Sequence, residues 1–153
     1  MATAQFGRVI TAMITPFTED GAVDYESAVA LAKHLVAHGS EGLLVGGTTG
    51  EGATMTAEEK LKLYTLIVDA VGKRGEGKKV PVMGNIGTIS TADTIAFGNK
   101  AKETGIDCAL VIVPFYVKPN QEGMYQHFTA VAKGVDLPVS YTHLRAHETR
   151  RHL

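Results

Sequence analysis

The sequence has few cysteines, no long apolar run and little net charge, and each of these absences excludes a class of protein. It has a single cysteine, Cys108, so no internal disulfide bond can form, which fits a reducing compartment such as the cytoplasm. Its longest apolar run, 108–117, is too short to span a bilayer, and no signal-peptide pattern is present. The formal net charge of −1 indicates neither a nucleic acid nor a membrane surface as partner. We therefore expect a cytoplasmic protein that binds neither.

The sequence also lacks a complete set of metal ligands. His34 and His38 lie four residues apart in a predicted helix, but no third ligand is visible near them. His143, His147 and His152 cluster near the C-terminus, where no carboxylate or cysteine set completes a site. We expect no metal and no cofactor.

Five apolar segments, predicted as strands, alternate with four predicted helices at a period of about 30 residues. The predicted strands are 9–14, 42–45, 80–84, 108–113 and 137–139. The helices begin at residues that can cap an N-terminus, which are Asp24, Thr56, Ser90 or Thr91, and Asn120. In the last helix the spacing predicts that Tyr125, Phe128 and Val131 face inward.

This alternation predicts an α/β protein with a parallel sheet and crossover helices. Two architectures fit the pattern equally well. One is a doubly wound, flavodoxin-like sheet. The other is the first half of a (β/α)8 barrel, in which case the chain ends within the fifth strand.

The most informative segment is the turn after the second predicted strand, where residues 46–51 read Gly-Gly-Thr-Thr-Gly-Glu. Ligands of α/β proteins bind at the C-terminal ends of parallel strands. Glycines let the backbone approach a ligand, and exposed N–H groups suit a carboxylate or phosphate oxygen. A plain strand-to-helix turn explains the composition equally well, so the segment alone does not decide between the two interpretations.

Three segments resemble the dihydrodipicolinate synthase / N-acetylneuraminate lyase superfamily. They are the Gly-Thr-Thr-Gly-Glu turn at 47–51, the stretch Pro-Phe-Tyr-Val-Lys-Pro-Asn-Gln-Glu-Gly-Met-Tyr-Gln-His-Phe at 114–128, and the first strand at 7–17. Each segment falls on the element where the superfamily carries it, and the resemblance covers about residues 5–139. It favours the barrel over the flavodoxin-like sheet.

The resemblance implies a class I aldolase-type (β/α)8 barrel, in which a lysine forms a Schiff base with pyruvate. Within the superfamily, the resemblance of the paired Thr48 and Thr49 and of the Gln-Glu-Gly-x-Tyr-Gln-His-Phe string at 121–128 favours condensation of pyruvate with L-aspartate 4-semialdehyde, in lysine and diaminopimelate biosynthesis. By the same resemblance, Thr49 binds the pyruvate carboxylate beside Gly47 and Gly50. Thr48 relays protons between two tyrosines, and one of them, Tyr116, reaches into the site of a neighbouring copy. The complete protein is then a homo-oligomer, a dimer or tetramer.

The end of the sequence departs from the superfamily. Residues 1–139 resemble the N-terminal half of the barrel, whereas residues 140–153 resemble no part of it and look like a read-through tail. None of the ten lysines is at the Schiff-base position, so we expect this 153-residue chain to be inactive. Two other functions stay open, which are another pyruvate-dependent lyase, such as N-acetylneuraminate lyase, and a non-catalytic anion-binding α/β module.

Overall fold

The computed structural model describes residues 6–73, 75 and 77–142, and this part of the chain alternates five strands with four helices. The strands are β1 Ile10–Ala12, β2 Gly42–Val45, β3 Val82–Asn85, β4 Cys108–Ile112 and β5 Val139–Thr142. The helices are α1 Tyr25–Ala37, α2 Ala57–Val71, α3 Thr91–Glu103 and α4 Gln121–Gly134. The predicted alternation is confirmed.

The five strands form one parallel sheet in the order β1-β2-β3-β4-β5. Each strand therefore pairs with its neighbours in sequence. A doubly wound sheet reverses its strand order at a switch point, and this sheet has no such reversal. The flavodoxin-like alternative is therefore wrong, and the order is that of consecutive strands in a (β/α)8 barrel.

The helix starts lie where the capping side chains predicted them. Asp24 accepts from the backbone N–H of Ser27, and Asn120 caps α4 in the same way. Thr56 and Glu59 form a capping box at the start of α2, in which each side chain accepts from the other residue's backbone N–H. Among the described residues, no helix combines the length and apolar character needed to cross a membrane.

The last strand lies further along the chain than predicted. The spacing predicted 137–139, but β5 covers Val139–Thr142 and pairs with β4 from Ala109 to Ile112. Three residues beyond the expected boundary at 139 thus continue the sheet. The assignment of 140–153 to a read-through tail stays a prediction, and residues 143–153, with their three histidines, lie outside the described residues.

Alternating side chains of the strands bury two separate apolar faces. One face packs against the helices, with Val45, Val82 and Val111 among its members. The opposite face carries a smaller cluster of Met83, Cys108 and Leu110. Strands buried on both faces read as nearly continuous apolar runs, which is why the sequence revealed the strands but not their order.

The inward face of α4 agrees with the prediction at Val131, which is buried, and at Phe128, which packs partly buried against the core, but not at Tyr125. Tyr125 is 63% exposed, and the buried residues are Met124, His127 and Val131. Their spacing of three and four residues is as helical as the predicted one, so periodicity alone could not choose between the two faces. His127 is only 4% exposed, and its Nδ1 lies 2.8 Å from the hydroxyl oxygen of Thr91 at the start of α3.

The burial of His127 makes stability depend on pH. Its Nε2 has no hydrogen-bond partner among the described residues, and burial lowers the pKa of the imidazole below its usual value. As the pH falls below about 6.5, the unfolded chain binds a proton that the folded chain does not, so the free energy of unfolding decreases. Urea unfolding at pH 7.5 and 5.5 measures this decrease.

The matched control for that measurement is an exposed histidine. We expect His127→Leu to lose part of the pH dependence, whereas His34→Gln, on the exposed face of α1, keeps it. Equal pH dependence in wild type and His127→Leu would show that other groups cause it.

Candidate functional site

A cavity of about 430 Å³ opens at the C-terminal ends of β2 and β3. The turn after β2, the segment after β3, the first turns of α2 and the end of β4 form its walls. The lining residues are Gly47, Thr48, Glu51, Gly52, Ala53, Lys60, Asn85, Gly87, Thr88, Ile89, Ile112 and Phe115. The cavity therefore lies at the edge of the sheet where parallel α/β folds bind their ligands.

Gly46 starts the turn and no other residue type fits there well. Its φ of +66° lies in the left-handed region, which favours glycine. A Cβ added to Gly46 would also come within 2.7 Å of the Tyr64 hydroxyl oxygen. The turn leaves β2 in the direction observed because the chain has no side chain at this position.

A buried hydrogen-bond chain joins this turn to the next strand. The hydroxyl of Tyr64 on α2 donates to the carbonyl oxygen of Asn85 at 2.7 Å. The side-chain amide of Asn85 donates to the carbonyl oxygen of Gly46 at 3.0 Å, and its Oδ1 accepts from the N–H of Gly87 at 3.2 Å. Burial holds the Tyr64 hydroxyl protonated by raising its pKa far above the usual value. We call these contacts the Tyr64–Asn85–Gly46 link.

The rest of the turn folds back on itself. The N–H groups of Gly50 and Gly52 both donate to the carbonyl oxygen of Gly47, at 3.1 and 3.0 Å. The hydroxyl of Thr15, which follows β1, donates to the carbonyl oxygen of Gly50 at 2.7 Å. Gly50 therefore contributes the shape of the turn, because its own N–H is already bonded within it.

Thr48 and Thr49 stand at the tip of this turn, and both are exposed. Neither hydroxyl has a hydrogen-bond partner among the described residues, and the backbone N–H groups of both likewise have none. Thr48 lines the cavity together with Gly47, whereas Thr49 and Gly50 do not. The turn thus presents two free hydroxyls and two free N–H groups on a backbone held by internal bonds.

Tyr116 lies in the loop after β4, away from the cavity. Its φ of +68° and a 2.8 Å hydrogen bond from the N–H of Val117 to the carbonyl oxygen of Phe115 describe a three-residue γ-turn. Such a turn is strained at a residue with a Cβ. The side chain is 94% exposed, so Thr48 and Tyr116 are not brought together within one chain.

Two cavity residues were missed by reasoning from the sequence. Asn85 is a polar residue at the C-terminal end of a buried strand, which is itself a signal for a site. Lys60 lies one helical turn before the buried Tyr64, so its charge falls on the apolar face of α2. Both signals were visible in the sequence before the structure was known.

Other reactive side chains stay outside the site. Cys108 is buried, and burial raises the pKa of its thiol. The rings of His34 and His38 stack with their centroids 4.0 Å apart. Within the described part of the chain, no three metal-ligating side chains come together.

The chain matches the sequence model of the dihydrodipicolinate synthetase family over residues 5–141. Among curated proteins it is 55% identical to the 4-hydroxy-tetrahydrodipicolinate synthase of Symbiobacterium thermophilum over 133 residues, which are 87% of this chain and 44% of the relative. It is 51% identical to the enzyme of the same name from Heliobacterium modesticaldum, covering 88% of this chain and 43% of the relative. The chain thus spans less than half the length of these relatives.

Solved structures agree with these relatives. Dihydrodipicolinate synthase from Bacillus anthracis superposes with a TM-score of 0.83 at 43% identity, covering 90% of this chain and 46% of that one. The chloride-inhibited enzyme from Acinetobacter baumannii, complexed with pyruvate, gives a TM-score of 0.82 at 35% identity, covering 89% and 45%. The expected fold, about half of a (β/α)8 barrel, is confirmed.

The turn at Gly46 should tolerate no side chain. We expect Gly46→Ala to lower the free energy of unfolding by about 3 kcal/mol, because a positive φ and the contact with Tyr64 both oppose a Cβ. Gly21 also has a positive φ, but a Cβ there meets nothing within 4 Å, so Gly21→Ala should cost only about 1 kcal/mol. Urea unfolding compares the two, and equal losses would rule out a role for the contact.

Proposed function

Because the chain belongs to the dihydrodipicolinate synthetase family, we propose that it supplies the pyruvate-binding part of a 4-hydroxy-tetrahydrodipicolinate synthase. That enzyme condenses pyruvate with L-aspartate 4-semialdehyde through a Schiff base in lysine biosynthesis. The names and 43–55% identities of the curated relatives support the reaction. The proposal places this chemistry in the cytoplasm of the cell.

The observation that carries the proposal is the tip of the turn after β2. Thr48 and Thr49 present free hydroxyls and free backbone N–H groups at the C-terminal edge of the sheet. A carboxylate needs donors that are fixed in place before it arrives, and the internal bonds of Gly50 and Gly52 fix this turn. In this role Thr49 binds the carboxylate of pyruvate with its hydroxyl and its N–H.

Thr48 takes a different role because a hydroxyl both donates and accepts a proton. We assign it to a proton relay that needs a tyrosine on each side. Tyr116 is the tyrosine supplied by a neighbouring copy, and its exposed, strained position in this chain supports that assignment. The relay therefore requires an oligomer of at least two copies, whether dimer or tetramer.

The 153-residue chain itself should bind pyruvate without forming an adduct. None of its lysines takes the Schiff-base role in this proposal, so borohydride reduction in the presence of pyruvate should leave the mass unchanged. Ligand-detected nuclear magnetic resonance should still detect pyruvate binding, which Thr49→Val should weaken and Thr49→Ser should preserve. A stable pyruvate adduct would contradict the proposed division of roles, and equal binding by Thr49→Val would remove Thr49 from the site.

A chimera tests the catalytic roles. Residues 1–139 are joined to the remaining part of the Symbiobacterium thermophilum relative, and condensation of pyruvate with L-aspartate 4-semialdehyde is assayed. We expect an active enzyme in which Thr48→Val and Tyr116→Phe each lower kcat about 100-fold, the loss typical of a removed proton relay. Thr49→Val should mainly raise the KM for pyruvate.

The matched control for Tyr116→Phe is Tyr125→Phe, which removes the hydroxyl of another exposed tyrosine outside the turn. This control should keep full activity. An inactive chimera that folds and binds pyruvate would refute the proposed reaction. Full activity of Tyr116→Phe would refute the relay alone.

A further inference from the structure

The parallel ladder between β2 and β3 stops where the turn after β2 begins. The N–H of Leu43 donates to the carbonyl oxygen of Pro81, and a parallel ladder repeats every two residues along each strand. Two such steps would pair the N–H of Gly47 with the carbonyl oxygen of Asn85. That carbonyl instead accepts from the hydroxyl of Tyr64 at 2.7 Å, so a helix side chain takes the place of the next backbone donor.

The second bond of that rung is replaced as well. A continued ladder would bring the N–H of Gly87 to the carbonyl oxygen of Gly47. The N–H of Gly87 instead donates to Oδ1 of Asn85 at 3.2 Å, and the carbonyl oxygen of Gly47 accepts from the N–H groups of Gly50 and Gly52. Side chains therefore take the place of Gly47 in both bonds of this rung.

The group displaced from the ladder is the N–H of Gly47, which has no hydrogen-bond partner among the described residues. Gly47 is buried, and a buried N–H group without a partner is rare in folded proteins. The N–H groups of Thr48 and Thr49 are free as well, so three successive donors follow the end of β2. Successive backbone N–H groups in a turn form a concavity that binds anions.

Asn85 also fixes the direction of the Gly47 N–H. Its side-chain amide donates to the carbonyl oxygen of Gly46 at 3.0 Å, and Asn85 is only 6% exposed. The peptide unit that joins Gly46 to Gly47 is planar and trans, so its N–H points away from the carbonyl oxygen that Asn85 holds. The Asn85 amide has one possible orientation, because its Oδ1 accepts from the N–H of Gly87, which can only donate.

We propose that Tyr64 and Asn85 are positioning residues for the carboxylate of pyruvate. By taking the two bonds that would extend the ladder, they leave the N–H of Gly47 free to donate to the carboxylate beside the N–H of Thr49. Neither side chain needs to touch pyruvate, because each acts through the backbone of the turn. The inference rests on the proposed function, since it concerns the same pyruvate-binding turn.

The first test follows the Gly47 amide proton by nuclear magnetic resonance in the isotope-labelled 153-residue chain. In the wild type, pyruvate should move this resonance downfield, because the proton gains an acceptor. In Tyr64→Phe the carbonyl oxygen of Asn85 loses its hydroxyl donor and becomes available to the N–H of Gly47. The Gly47 resonance of this variant should therefore lie downfield before pyruvate is added and should respond little to it.

The second test is the affinity for pyruvate, measured by ligand-detected titration. Asn85→Asp keeps the shape of the side chain but replaces the donor with an oxygen that repels the carbonyl oxygen of Gly46. Asn85→Asp and Tyr64→Phe should each weaken binding about tenfold, the loss of one hydrogen bond to a charged group. Asn99→Asp is the matched control and should bind normally, because the Asn99 amide donates to the carbonyl oxygen of another glycine, Gly134, at 3.1 Å.

Kinetics of the chimera separate positioning from general damage to the fold. Tyr64→Phe and Asn85→Asp should each raise the KM for pyruvate about tenfold and leave kcat nearly unchanged, because they withdraw a carboxylate donor and no group that moves a proton. Tyr25→Phe, which removes the hydroxyl of a partly buried tyrosine at the start of α1, should change neither constant.

Unchanged affinity and KM in both variants, with circular dichroism showing that both fold, would overturn the inference. A wild-type Gly47 resonance that ignores pyruvate, while Thr49→Val weakens binding, would overturn it too, because the turn would then bind without this donor. Failure of the wild-type chain to bind pyruvate would instead count against the proposed function. In that case an unshifted Gly47 resonance in ligand-free Tyr64→Phe would still refute the role of the Tyr64 hydroxyl.

Discussion

The Tyr64–Asn85–Gly46 link determines where the ends of β2 and β3 lie with respect to α2. Two of its three hydrogen bonds are buried and the third is partly buried, and a buried polar group that loses its partner costs about 1–3 kcal/mol. Tyr64 fits only because Gly46 has no Cβ, and Gly46 takes its positive φ only because it is glycine. One hydroxyl, one amide and one missing side chain therefore fix both the direction of the turn and one wall of the cavity.

In the turn after β2, some polar groups hold the backbone in shape and others are free to bind a ligand. The N–H groups of Gly50 and Gly52 are used internally, and the hydroxyl of Thr15 holds the turn from the side of β1. The hydroxyls and backbone N–H groups of Thr48 and Thr49 have no hydrogen-bond partner among the described residues. A site whose donors are fixed by neighbours that never touch the ligand needs little reorganisation when the ligand arrives.

The sequence predicted local features well because local features depend on near neighbours. Asp24, Thr56 and Asn120 cap helices through atoms only three residues away, so their spacing suffices. The order of the strands and the bounds of β5 depend on pairing across the sheet, which no local pattern contains. The order became predictable only through resemblance to a family.

The features of the candidate site likewise divide into local ones, which the sequence predicted, and long-range ones, which it did not. The turn at 46–51 was visible because glycine and threonine cluster there, but its link to Asn85 joins residues 39 apart in sequence. On α4 the inward position of Val131 was predicted correctly, but Tyr125 was predicted wrongly in place of its neighbour Met124, because both fit a helical stripe and only tertiary packing decides between them. The position of Lys60 in the cavity likewise depends on where α2 meets the end of β3.

Cys108 gives the chain a built-in reporter of motion. Its thiol lies with Met83 and Leu110 on the sheet face that does not carry the helices, and a buried, protonated thiol reacts slowly with alkylating reagents. Because it is the only cysteine, every labelling event reports an opening of that one face. The rate at which an alkylating reagent labels the thiol therefore measures how often this face of the sheet opens to solvent, and no introduced probe is needed.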